Sequence, residues 1–200
     1  REAKVGSEAQ IKELQKPCSS KSFAQYLLEH TQPHQPGDVI LLTGVGEVFP
    51  LLRVHNLLRK SRHDSAVLDV ARSLRLRVGA LPRYPQGSLR YSLTWSTEGL
   101  INEYCKPCEV IAQGRRSTVP ALDGLEPLLI DGVEYEAFHT SGGLGTLTQT
   151  WDGRIEQLDY KTIRYPGHRA AMQLLLTELR LSERRELLKE LLEGAIAGTQ

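Results

Sequence analysis

Residues 126–138 read EPLLIDGVEYEAF, from Glu126 to Phe138. Two strand-like runs flank Asp131-Gly132, a dipeptide that favours a tight reversal between strands. The sequence on both sides is of the same kind. LRLRVGALP, from Leu74 to Pro82, alternates apolar and basic residues with the period of a half-buried strand. SLRYSLTWS, from Ser88 to Ser96, alternates as well and is expected to be a strand. RSTVPAL and RIEQLDYKTIRY add further strand-like pieces, with another turn at Asp152-Gly153. GLINEYCKPCEVI predicts a short helix up to Tyr104, a break near Pro107, and then a strand.

The end of the chain is helical in pattern. Ala170 to Leu179 forms one expected helix. Ser182 is expected to cap a second, with Glu183 and Glu186 in its first turn, where the helix dipole favours acids. Its apolar face would be Leu187, Leu188, Leu191, Leu192 and Ile196. The first third differs. Arg1 to Leu14 reads as a weak helix that stops before Lys16-Pro17. Ser19 to His30 reads as a better one, with Phe23, Tyr26, Leu27 and His30 on one face. TQPHQPGD is a loop, Val39 to Leu42 a buried strand, Gly44 and Gly46 a turn, and Pro50 opens a helix.

The expected fold class is therefore α/β in the α+β sense. A mixed sheet with C-terminal helices is preceded by a short helix–strand–helix segment. The boundary falls between about Arg62 and Val67, giving an incomplete α/β segment over 1–65 and a sheet domain over 66–200.

Bulk properties narrow the function classes. In 200 residues the formal net charge is +1, and no long basic or acidic block occurs. Nothing electrostatic points to nucleic acid or to an anionic membrane as a partner. No apolar run approaches the roughly 20 residues of a membrane span. Three cysteines do not make a disulfide framework, and the cytoplasm is the default compartment. The chain opens on Arg1 rather than Met, as expected of an internal piece of something longer.

Most motif-like stretches have plain readings. GVGEVF follows a strand and precedes a helix, but Phe49 stands where a dinucleotide fingerprint needs its third glycine. Cys105-Lys106-Pro107-Cys108 has CxxC spacing, yet only Cys18 remains as a further cysteine, so no four-cysteine zinc set exists and no metal is expected. His30 and His34 are separated by Pro33 and read as surface residues. HTSGGLGT, from His139 to Thr146, is more open. Gly142, Gly143 and Gly145 let a ligand approach the backbone, and Thr140, Ser141 and Thr146 offer hydroxyls. From these residues alone, a structural turn and a ligand contact stand level.

Three stretches in order, TWSTEGLINEY, SGGLGT and YKTIRYPGH, resemble the saccharopine dehydrogenase family over about Leu68 to Gly194, roughly two-thirds of the chain. That resemblance implies an inserted substrate domain of mixed α/β structure, from enzymes that use NAD(P) to make or break C–N bonds at amino acids. It implies that Trp95, Ser96, Thr140, Ser141, Gly142 and Gly143 surround an amino-acid pocket. Arg164 would be a carboxylate partner and His168 a catalytic proton donor or acceptor. Where saccharopine-handling relatives tend to carry an arginine near the loop, this chain has Ser141-Gly142-Gly143, which favours a smaller amino acid such as lysine. The family's nucleotide fingerprint is expected upstream and is not found in these residues. No NAD(P) site is evident, and no turnover is expected from the chain alone.

Residues 23–62, FAQYLLEH…PGDVILLTGVGEVFPLLRVHNLL with the residues after it, resemble the BREX phage-defence protein B family. Two resemblances meeting at SRHDSAV imply a hybrid or fusion. The alternatives to an oxidoreductase substrate domain are a non-catalytic phage-defence module and a homodimerisation module.

Overall fold

The structure is a computed structural model and describes residues 72–93 and 95–197. The elements expected before residue 72, with GVGEVF, Cys18, His30 and His34, lie outside the described residues. The described residues from Ser73 onward belong to one compact unit.

Its elements run β1 (Ser73–Val78), α1 (Thr97–Cys105), β2 (Cys108–Ala112), β3 (Arg115–Val119), β4 (Glu126–Ile130), β5 (Val133–His139), α2 (Leu147–Trp151), β6 (Gln157–Arg164), α3 (His168–Gln173) and α4 (Arg185–Ala197). A π-helical turn, Leu174–Glu178, continues α3, and a 3-10 turn, Leu181–Glu183, precedes α4. The expected mixed α/β class with C-terminal helices is what the chain adopts. Asp131 and Gly132 make the β4–β5 reversal, both with positive φ, 51° and 77°, as this turn chemistry requires.

The strands form one six-stranded mixed sheet around β6. β1 lies parallel to β6, pairing Ser73 with Gln157 through to Val78 with Thr162. β2 and β5 both run antiparallel to β6. Leu158 pairs with Leu74 and Ile111, while Thr162 pairs with Val78 and Phe138. A strand has only two edges, and β1 keeps one of them along its whole length. β2 and β5 therefore share the other edge end to end, β2 at residues 157–158 and β5 at 161–164. The sheet forks at Asp159 and Tyr160. The Tyr160 carbonyl accepts a hydrogen bond from His139 Nδ1 there, at 3.2 Å.

One face of the sheet carries the helices. Leu100, Ile101 and Tyr104 of α1 pack with Phe138, Met172, Leu176, Leu181, Leu188 and Leu192 in a continuous buried core. α4 is strapped to α1 by Thr97 donating to Glu193 (2.9 Å) and by Arg185 donating to Glu98 (2.6 Å) and Asn102 (2.9 Å).

Three local expectations change. Ser88–Ser96 is not a strand. Gly87–Leu89 turn, Arg90 takes φ 47°, and Leu89, Tyr91 and Leu93 pack onto the helical core, so their alternation reflects burial without a ladder. Ser182 does not cap the last helix. Its hydroxyl donates to Leu176 O at 2.8 Å, Arg180 in the left-handed region (φ 52°) ends the preceding helix, and α4 starts at Arg185. The expected apolar face of α4 is half used: Leu188 and Leu192 are buried, while Leu187 and Leu191 are 41% and 48% exposed. The short helix α2 has too few residues to show a period, and sequence reasoning missed it.

Candidate functional site

α1 organises the site. Ser96 caps it by accepting from Gly99 N at 3.2 Å, and Glu98 sits in its first turn. Trp95, just before the cap, donates from Nε1 to the Tyr91 hydroxyl at 3.0 Å and lies against Gly99, where a Cβ would meet its ring. Trp95 and Ser96 thus both have work within the fold.

The buried centre of the helical face is polar. Arg164, at the end of β6, is 4% exposed. Its Nε donates to the Tyr104 hydroxyl at 3.0 Å, its Nη1 donates to Ile163 O at 2.8 Å, and its Cζ stands 4.7 Å from the Tyr91 ring centroid. Among the described residues, Nη2 has no hydrogen-bond partner and no carboxylate oxygen lies within 4.0 Å of the guanidinium. Glu136 faces Arg164 across the β5–β6 ladder, but its carboxylate accepts from Gly167 N (3.0 Å) and Arg169 N (2.6 Å), holding the start of α3.

His168 completes this cluster. Its Nδ1 lies 2.7 Å from Leu89 O and its Nε2 lies 3.0 Å from the Tyr104 hydroxyl. A carbonyl can only accept, so Nδ1 carries the proton and Nε2 accepts from Tyr104. Tyr104 therefore donates to His168 while accepting from Arg164, and the three groups form one chain. Burial, with the ring 2% exposed, pushes the His168 pKa down to about 4, and the positive field of Arg164 adds to the effect. His168 is neutral at pH 7, with both nitrogens engaged. Burial also drives the Tyr104 phenol upward, so it stays protonated.

The Thr140–Gly145 loop lies at the fork. Ser141 N donates to Glu103 O at 2.9 Å and Ser141 Oγ to Asn102 O at 3.2 Å, so this serine satisfies carbonyls near the end of α1. Gly142 has φ 86°, and a Cβ at Gly143 would collide with the Tyr160 ring. Thr140 is 2% exposed, and its hydroxyl has no partner. The loop walls a cleft of about 280 Å³ with Lys106, Pro107, Glu109 and Tyr160.

The structure thus sorts the eight residues singled out in the sequence. Arg164 and His168 meet in the buried cluster. Thr140, Ser141, Gly142 and Gly143 line the fork cleft, and Trp95 and Ser96 stand at the start of α1. Tyr104, Tyr91, Glu103 and Tyr160 join them unannounced. Tyr104 is buried on α1 with Leu100 and Ile101, and only its position against Arg164 reveals its polar role. On the other face, Arg77, Lys161, Glu126 and Asp159 pair among themselves, Lys161 with Glu126 at 2.6 Å. Burial raises the Cys105 thiol and pushes Cys108 up to about 11. Neither is a reactive thiolate at pH 7.

Among the described residues, no group of three or more His, Cys, Asp or Glu side chains could hold a metal ion. None of the described helices is long and apolar enough to cross a membrane. A dinucleotide does not fit the described glycine loop. It follows an antiparallel strand and leads into the five-residue α2, whose N-cap Thr146 makes no side-chain cap, unlike the strand–turn–helix that cradles a pyrophosphate.

Comparison with known proteins matches the chain to two family models and to solved structures. The family model for the saccharopine dehydrogenase C-terminal domain matches residues 51–197. The family model for BREX protein BrxB matches residues 1–68, so the two overlap over 51–68. Among solved structures, apo histidine-tagged saccharopine dehydrogenase (L-Glu forming) from Saccharomyces cerevisiae matches with 19% identity and a TM-score of 0.43. That match covers 53% of this chain and 25% of the yeast chain, so this chain spans about a quarter of its length.

Proposed function

The chain belongs to the saccharopine dehydrogenase C-terminal domain family, and from that premise we propose that residues 73–197 bind the amino-acid substrate of an oxidoreductase. In this reading the enzyme transfers hydride between NAD(P) and a C–N bond of a small amino acid such as lysine. The nicotinamide would supply the hydride chemistry when bound.

The observation that carries the reading is Arg164. A guanidinium buried without a counter-charge costs on the order of several kcal/mol. The Tyr91 ring returns only about 0.5–2 kcal/mol of that. The Nη2 edge has no partner, and a carboxylate is the group that a planar guanidinium binds best. Tyr104 fixes the guanidinium by accepting from Nε, and His168 fixes Tyr104 by accepting its proton. His168 thus acts as a positioning residue, since a general acid or base must reach the reacting proton.

Calorimetric titration with L-lysine at millimolar concentration tests this reading, comparing wild type with Arg164→Met. Methionine fills the buried site without charge. The expected result is heat in wild type and at least about tenfold weaker binding in the variant, since 1.4 kcal/mol of lost charge-assisted contact corresponds to that factor. Equal affinity in both proteins overturns it.

A second reading has its own observation. Residues 1–68 match the BREX protein family, and Leu174, Leu179, Leu187 and Leu191 are exposed. In that reading the chain is a non-catalytic defence-associated or homodimerising module. Light scattering that shows a dimer, together with no heat from any amino acid, favours it.

A further inference from the structure

Arg164 is buried, so nothing from solvent reaches its guanidinium unless a neighbour moves. Its neighbours are held very unequally. Ile163 belongs to the β6 ladder, and Tyr104 is part of the helical core. Tyr91, whose ring covers the guanidinium at 4.7 Å, belongs to residues 80–93, an irregular stretch that runs from the end of β1 towards α1.

That stretch is fastened lightly. Among the described residues, none of its backbone N–H or C=O groups bonds to the backbone of the sheet or the helices. Side chains hold it instead. The Tyr165 hydroxyl donates to Pro82 O at 3.0 Å, His168 Nδ1 donates to Leu89 O at 2.7 Å, and Trp95 Nε1 donates to the Tyr91 hydroxyl at 3.0 Å. Tyr91 is buried, Leu89 and Leu93 are partly buried against the helical core, and Arg83 to Ser88 are exposed. Arg90 has φ 47°, in the left-handed region that a residue other than glycine enters at a cost. A segment with no ladder, few buried apolar contacts and a strained residue opens at a lower free energy than the sheet and core that it crosses.

We propose that residues 80–93 form a strap that lifts as a unit while the sheet and helices stay folded, with the Trp95–Tyr91 hydrogen bond as its latch. Lifting carries the Tyr91 ring off Arg164 and the Leu89 carbonyl off His168, and it bares the guanidinium. The lifting itself stands whether or not Arg164 binds a ligand. That it is the route by which a carboxylate reaches Arg164 rests on the reading given above.

The strap carries its own probe. Trypsin cuts after arginine, and it needs the chain around the Arg90–Tyr91 bond extended in its cleft, which the buried Tyr91 forbids while the strap is down. Arg83 is the other trypsin site in residues 80–93, and Arg83→Gln removes it. The whole chain with that exposed substitution is digested at low trypsin across a urea series below the unfolding transition, and the cut after Arg90 is followed by mass spectrometry. In this regime the rate tracks the open population. The expected result is cleavage after Arg90 without urea, with less than about half the urea dependence of global unfolding, since only the strap's surface becomes exposed. Tyr91→Phe keeps the ring and removes the hydroxyl that Trp95 bonds, and it should speed the cut about fivefold, the factor of one ordinary hydrogen bond. Cleavage after Arg90 that appears only with global unfolding, and with its urea dependence, overturns the strap. Local cleavage that Tyr91→Phe leaves unchanged overturns the latch. The urea comparison needs no Tyr91 variant, so a Tyr91→Phe protein that failed to fold would not remove the test. Local cleavage together with no heat from L-lysine overturns the carboxylate route and leaves the strap.

Discussion

Lowering the pH from 7 to 5 should destabilise this protein through His168, and replacing that residue should remove the effect. The ring is buried as the neutral form, with Nδ1 donating to Leu89 O and Nε2 accepting from Tyr104. Its pKa is about 4, against a reference of 6.5 in the unfolded chain. A group whose native pKa is depressed binds fewer protons in the native state. Its stabilising contribution is therefore complete above pH 6.5 and is lost as pH falls from 6.5 towards 4. At pH 5 the unfolded ring is almost fully protonated and the native ring is still mostly neutral. The loss between pH 7 and 5 is about 2 kcal/mol, rising to about 3 kcal/mol below pH 4, at about 1.4 kcal/mol per pKa unit. His139, also depressed by burial, acts in the same direction, so the comparison must isolate His168. His168→Gln keeps an amide donor for Leu89 O and an acceptor for Tyr104, and it does not titrate. Urea unfolding of both proteins at pH 7 and pH 5 gives the difference. Wild type is expected to lose about 2 kcal/mol more than the variant on acidification. Parallel losses, within about 0.5 kcal/mol, refute the reasoning. A proton NMR titration of wild type provides the check without a variant. A His168 midpoint close to the reference 6.5 refutes the buried neutral ring.

Other changes have defined outcomes. Ser96→Ala removes the α1 cap and should cost about 1 kcal/mol in chemical unfolding; no change would mean that Gly99 N finds water equally well. Gly143→Ala places a methyl into the Tyr160 ring and should cost about 1–3 kcal/mol, seen as a lowered melting temperature, whereas a neutral result would show that the ring moves freely. Thr140→Val deletes a buried hydroxyl that has no partner. It should be neutral or stabilising by up to about 1 kcal/mol in the free protein, and a loss of more than about 1 kcal/mol would mean that the hydroxyl is bonded.

What the sequence revealed and what it hid divides along the range of the forces involved. Asp131-Gly132 announced the β4–β5 reversal because turn chemistry is local to two residues. The alternation of Leu74, Leu76 and Val78 announced β1 for the same reason. Ser88–Ser96 alternated equally well, yet Tyr91 and Leu93 meet helices instead of a neighbouring strand, and alternation cannot distinguish the two. The fork at Tyr160 was invisible, because it depends on β2 and β5 competing for one edge of β6 from distant parts of the chain. Ser96 was a candidate ligand contact by family resemblance and Ser141 by its hydroxyl as well, and the fold gives them a helix cap and helix-end carbonyls. Arg164 stood out by its place in the sequence, but its missing counter-charge is a property of three dimensions. Tyr104 was hidden in an ordinary helix, because its contact with Arg164 comes from the distant end of β6.

The most direct test of the account is a crystal structure of the chain grown with millimolar L-lysine. The account predicts ligand density with its carboxylate within about 3 Å of Arg164 Nη2, a hydrogen-bonding distance. Density confined to the cleft of Lys106, Glu109 and Thr140, with the Arg164 guanidinium still unaccompanied, would contradict it.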